Sequence, residues 1–210
     1  MQSTKTIGWI LVIGVILSLA GLLNPAATAD WSNDAAVISA LAGNVDLVAI
    51  TFIISAVGQI IYIMGYSGIR ENMTDGLWKT KVQIGVMLAL TSAVINVAWS
   101  GLMVGTGEAA SLGQAGMGIA AALYASANSV SLAGNAISFI GFALIGIGMM
   151  MGKAINNIIA LVIGVLGIFG LVLVMVDNNS TLLFIPFMGI FIMSLIIGIM
   201  KLRQKGKSKS

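Results

Sequence analysis

The stretch Asp46-Leu-Val-Ala-Ile-Thr-Phe-Ile-Ile-Ser-Ala-Val-Gly-Gln-Ile-Ile-Tyr-Ile-Met-Gly-Tyr66 is followed by the polar hairpin Arg70-Glu-Asn-Met-Thr-Asp-Gly-Leu-Trp-Lys-Thr-Lys81 and a second apolar run to Val104. Each run is long enough to cross a hydrocarbon core of roughly 30 Å as a helix rising about 1.5 Å per residue. The segment therefore reads as two antiparallel membrane helices joined by a charged turn. On the first, Thr51, Ser55, Gln59, Tyr62 and Tyr66 recur at spacings of four, four, three and four, which places them along one face. On the second, Ser92, Asn96, Trp99 and Ser100 do the same.

Nearly every uncharged polar residue at membrane depth lies in this pair, so the pair is where anything besides lipid and other helices would be handled. The candidate polar site is Ser55, Gln59, Ser92 and Asn96, with Asp46 and Trp99 near its mouth. Counted from the outer ends of the two helices, Gln59 and Ser92 lie about 18 Å down, and Ser55 and Asn96 about 12 Å. If the faces meet, the residues match rung for rung. Interhelical hydrogen bonding alone accounts for such a match, and so does a narrow polar site open toward the outer loops. Tyr62 and Tyr66 read as aromatics of the inner interface, alongside Trp9 and Trp78.

Composition sets the class. Hydrophobic residues are 59% of 210 and charged residues only 8%, where a soluble domain carries roughly a quarter charged. The mean hydropathy is +1.06. The chain is thus an all-α polytopic membrane protein. It has no histidine and no cysteine, which excludes disulfides, thiol nucleophiles, haem and iron–sulfur ligation, and nearly all zinc and copper sites. No cofactor and no metal centre is expected.

Working outward, six spans are predicted, at about 6–23, 47–67, 82–104, 132–152, 157–176 and 182–200, in one domain covering 1–200. Residues 201–210 form a basic tail. The loop Asn24–Val45 contains a short apolar run, Ala35–Ala42, read as interfacial or as a short helix packed on the bundle. Thr106–Val130 reads as a second long loop, rich in Gly, Ala and Ser, with a weakly apolar run at Met117–Ala127. The pattern Met1–Leu23 followed by Ala27-x-Ala29 also fits a cleavable signal peptide, although its apolar core exceeds the usual length.

Charge tests the count. With the amino terminus in the cytoplasm, every lysine and arginine falls inside and none outside, while Asp30, Asp34, Asp46, Glu108 and Asp177 fall outside. Both termini are therefore expected in the cytoplasm. The net charge of +3 sits at helix ends, so the tail reads as an anchor to anionic headgroups and nucleic acid is not expected as a partner.

Leu41-Ala-Gly-Asn44 and Leu132-Ala-Gly-Asn135, 91 residues apart, each end an outer loop and open a span in this reading, the trace of a tandem two-helix repeat. Gly141, Gly148 and Gly152, then Gly164, Gly167 and Gly170, lie at spacings that let helix backbones approach within the chain. Pro186 is expected to bend the sixth span. No titratable residue falls at mid-membrane, which argues against a proton-coupled pump. The scattered carboxylates form no acid–base pair, and no phosphate loop or nucleophile–base pair is present, so no enzymatic activity is read.

Gly8-Trp-Ile-Leu-Val-Ile-Gly14, together with Phe142-Ala-Leu-Ile-Gly-Ile-Gly-Met-Met-Met-Gly152 leading by a short turn to Gly164-Val-Leu-Gly167, resembles a family of small six-helix prokaryotic membrane proteins of uncharacterised function. The resemblance implies the six-helix layout and carries over no catalytic or binding residue. That family has a proline before its fifth helix; Lys153-Ala-Ile-Asn-Asn157 has none. The expectation is a structural or interaction component acting through helix packing, as a homo-oligomer or within a larger complex. The alternative is a channel or facilitator for a small neutral solute along the polar face.

Overall fold

The structure, a computed structural model, describes residues 3–178 and 180–204. It is an all-α bundle of α1 (Thr4–Ser18), α2 (Asp34–Gly43), α3 (Val45–Glu71), α4 (Leu77–Ser111), α5 (Met117–Met151), α6 (Asn157–Val176) and α7 (Phe184–Arg203). Among the described residues, six helices are long and apolar enough to cross a membrane: every one but α2, with α1 extended to Leu23 by 3-10 turns. The chain is a multi-pass membrane protein.

The six long helices form a ring in chain order. α1 packs on α3, α3 on α4, α4 on α5, α5 on α6 and α6 on α7, and α7 closes back on α1. Glycines set the spacing at most of these seams, because in lipid close backbone approach replaces the hydrophobic drive between helices. Gly14 lies against the backbone of Tyr62, Gly58 against that of Ser18, and Gly146 against that of Gly164. A Cβ on Gly85 would meet the Gly141 carbonyl at 2.6 Å. Gly148 and Gly152 face Val82 and Trp78 of α4, so the expected packing role within the chain holds.

α1 begins and α7 ends at one end of the bundle, where Gly8 faces Gly198 and Leu202. Lys5, Arg70, Lys79, Lys81, Lys153, Lys201 and Arg203 are at this basic end. Asp30, Asp34, Asp46, Glu108 and Asp177 are at the other, where no described lysine or arginine lies. The tail residues 205–210 lie outside the described residues.

Four expectations need correction. The segment 106–130 is not a loop. α4 runs on to Ser111 and α5 starts at Met117, each 35 residues long, or about 52 Å. These Ala- and Gly-rich turns have hydropathy too low for a span, yet alanine is the best helix former. The projecting turns bury Met103, Ala109, Ala120, Tyr124 and Ala127 in a second core with Val37, Ile38 and Leu41 of α2. Consequently Leu132–Asn135 lies inside α5, whereas Asn44 caps α3 by accepting from the Leu47 N–H at 3.1 Å.

Pro186 is in the first turn of α7, after a 3-10 turn at Thr181–Leu183, a position where its missing N–H costs little, and not in the helix interior where it would force a bend. Tyr62 and Tyr66 are not interface aromatics; they are 4% and 0% exposed in the middle of the ring. Tyr62 stacks on Phe142 at 6.1 Å and meets Phe191 edge-on at 5.4 Å.

Candidate functional site

At the acidic end the ring does not fill. A cavity of about 660 Å³, partly open to the outside, occupies its centre, within the size range of small-molecule sites. The polar stripe of α3 points into it: Ser55 and Gln59 line the wall, and Tyr62 and Tyr66 continue the stripe toward the basic end as packed core. The opposite walls come from Asn96, Trp99 and Ser100 of α4, and from Asn128, Ser131 and Asn135 of α5. Phe187 and Phe191 of α7 lie toward the basic end of the cavity. Beneath them the Tyr62–Phe142 stack and the Phe139–Phe187 pair, with centroids 4.7 Å apart, close the ring.

Two amide clusters face the space. Asn96 Nδ2 donates to Gln59 Oε1 at 2.9 Å. Asn135 Nδ2 donates to Asn178 Oδ1 at 3.0 Å, and Asn178 Nδ2 donates to Ser131 Oγ at 3.0 Å. Each amide can make about four hydrogen bonds. Among the described residues the bond to Asn96 is the one made by the Gln59 side chain, so its amino group retains both donors. The Ser55 hydroxyl is spent on the Ser18 carbonyl at 2.8 Å, tying the end of α1 to α3.

The lip is built from the connection after α1. Asn24 is buried, donates from Nδ2 to Thr51 Oγ1 at 3.0 Å and accepts from the Ala26 N–H at 2.9 Å. This anchors the chain before Trp31, which lines the cavity, as does Phe52 in edge contact with Trp99 at 5.0 Å. Next to Trp31, the Ser32 hydroxyl donates to Asp30 at 2.6 Å and the Ser32 amide at 3.0 Å. Those bonds hold the Asp30 carboxyl below the usual carboxylate range. Among the described residues, no aspartate, glutamate, lysine or arginine lines the cavity.

Of the six residues proposed from sequence, four meet here: Ser55, Gln59, Asn96 and Trp99. Two do not. Ser92 turns to α5 and donates to the Gly134 carbonyl at 2.8 Å, a packing contact made where glycine leaves the carbonyl uncovered. Asp46 is exposed in the first turn of α3, away from the cavity. The rungs are also displaced: Gln59 pairs with Asn96, one turn beyond Ser92.

Asn128, Ser131, Asn135 and Asn178 were missed. The first three recur at spacings of three and four and would have read as a helix face. Reading the segment to Val130 as a loop hid that periodicity. No family model, curated protein or solved structure matches the chain.

Proposed function

We propose that this protein binds an uncharged solute in the cup at its acidic end and serves as a facilitator or carrier for it. We place it in a prokaryotic cytoplasmic membrane with both termini inside, an orientation supported by the segregation of lysine and arginine to one end. The observation that carries the reading is the cavity itself: about 660 Å³ at the ring centre, with Gln59 and Asn96 on its wall. A bundle serving only to pack would fill that volume with side chains, since interiors approach crystal density. The lining mixes aromatic faces with amides and contains no charge among the described residues, which favours neutral ligands over ions. No cluster of metal-ligating side chains is found among the described residues, and we read the site as non-catalytic.

A second reading is a structural component of an oligomer or larger membrane complex. It is favoured by the aromatic stack of Tyr62 and Phe142, which fills the ring toward the basic end. Gln59→Leu separates the two. If the cup is a binding site, the variant folds and assembles as the parent does but loses solute uptake in liposomes and ligand-induced thermal stabilisation. A purely structural role predicts that a panel of neutral solutes stabilises neither protein and that flux equals that of empty liposomes.

A further inference from the structure

The cup has a side as well as a mouth. α1 and α7 are in tight contact near the basic end, where a Cβ on Gly8 would meet the Gly198 carbonyl at 2.9 Å and one on Gly198 would meet Val12 at 2.8 Å. Toward the acidic end α1 is drawn to α3 instead. Its last turns tighten to 3-10 over Leu19–Leu23, the Ser55 hydroxyl takes the Ser18 carbonyl, and Gly21 lies against Ser55. The cavity is bordered there by Leu19 and Leu22 from the α1 side, and by Phe184 and Met188 of α7. Leu22 and Phe184, on the two sides of that border, are 48% and 56% exposed, and the turn Leu19–Leu23 packs on α3 and not to a comparable extent on α7. An exposed apolar border on both sides of a seam that does not close marks a lateral passage.

We propose that the cup is filled sideways from the bilayer, through this α1–α7 seam, by an uncharged amphiphile. The ligand carries a hydroxyl or carbonyl head that reaches Gln59 and Asn96, while its apolar body lies along Phe184, Phe187 and Phe191. Three features select this chemistry. The amides offer donors and acceptors without charge, so a phosphate or ammonium head would be desolvated with no counter-charge. The aromatic wall on α7 ends in Phe184, an exposed residue at the border of the cavity. The seam lets an acyl chain remain in the bilayer while the head occupies the cup. The inference rests on the cup being a ligand site and adds the route and the class of ligand.

The test uses the full chain in phosphatidylcholine vesicles and a diacylglycerol with a photoactivatable diazirine in one chain, with labelled residues located by mass spectrometry. Labelling of Phe187 and Phe191 is expected. A tenfold excess of unlabelled diacylglycerol should reduce it about tenfold, and neither glycerol, which comes from water, nor phosphatidic acid with the same chains should do so.

Because the chain has no native cysteine, Leu22→Cys with Phe184→Cys can be bridged by a short bis-maleimide to close the seam. Bridging should abolish labelling of Phe187 and Phe191 and leave labelling of the outer faces intact. Leu22→Trp, which narrows the seam without a cross-linker, should reduce it several-fold. Labelling that survives bridging, or that glycerol competes away, overturns the lateral route. If no lipid labels the interior but Ser55→Cys reacts with a water-soluble maleimide, the lateral inference falls while the cup stands as a solute site. If Ser55→Cys is also unreactive, both fall.

Discussion

Asn96 on α4 donates to Gln59 on α3 across 2.9 Å at the wall of the central cavity, joining the two helices at the one level where both present an amide to the ring axis. Such interhelical bonds in membranes contribute about 0.6–2 kcal/mol, because the separated helices find other partners. Gln59→Leu should therefore lower stability by no more than about 1 kcal/mol. With Asn96→Leu in a double-mutant cycle, a coupling of about 0.5–1.5 kcal/mol is expected from detergent-unfolding curves. A coupling near zero would show that the amides meet ligand rather than each other.

Deeper in the ring, Tyr66 and Ser194 oxygens are 2.6 Å apart. Ser194 has one hydroxyl hydrogen and spends it on the Ile190 carbonyl at 2.7 Å, so Tyr66 is the donor. The two truncations are then unequal. Tyr66→Phe removes a donor and leaves Ser194 bonded to its own helix, at a cost of about 0.5–1.5 kcal/mol. Ser194→Ala strands the Tyr66 hydroxyl in the core and should cost about 1–3 kcal/mol. Thermal unfolding of the two variants decides it: a larger loss for Tyr66→Phe would contradict the assigned direction.

Six spans were legible because hydropathy over twenty residues needs no knowledge of tertiary structure, and the charges marked their ends independently. The stripe from Ser55 to Tyr66 was legible for the same local reason, since helical spacing alone puts it on one face. Which neighbour that face meets was not. Ser92 and Asn96 lie only about 40° apart around their helix, yet one bonds to α5 and the other to α3, a division made by where Gly134 admits a close approach. The α4–α5 extension was invisible because Ala, Gly and Ser have little hydropathy; its helicity comes from alanine propensity and from packing on α2, a segment about 70 residues distant in sequence. The contribution of α7 to the cup was hidden by uniformity, as Phe184, Phe187 and Phe191 look like any lipid-facing aromatics.

The turn between α5 and α6 holds a residue its sequence does not favour. Lys153 has φ 52°, in the left-handed region, while its N–H bonds to the Met150 carbonyl and the Ala154 N–H to that of Met149. This pair of bonds is the Schellman arrangement, in which glycine is the usual occupant. Lys153→Gly should relieve the strain and stabilise the fold by about 0.5–1 kcal/mol. The added backbone freedom of glycine in the unfolded chain opposes part of that gain. Lys153→Ala retains the Cβ and should show no such gain, so the difference between the two variants in chemical denaturation isolates the backbone effect from the loss of charge.

Because no ionisable side chain among the described residues lines the cup, binding of the diacylglycerol probe should be flat from about pH 5 to about pH 9. A pH-sensitive part near the mouth is the Asp30 turn beside Trp31. Its carboxyl is held down by the Ser32 hydroxyl and then by the Ser32 amide. A depressed folded-state pKa means that the turn's contribution is complete above the ordinary carboxylate value and is lost as pH falls through the lowered one. Binding should thus weaken only in acid. In Asp30→Asn the side-chain oxygen still accepts from Ser32, so the acid limb should disappear with binding at neutral pH unchanged. Photolabelling of Phe187 across the pH series reads this directly, and a step near neutrality would place a titrating group in control of the cup that its lining does not contain.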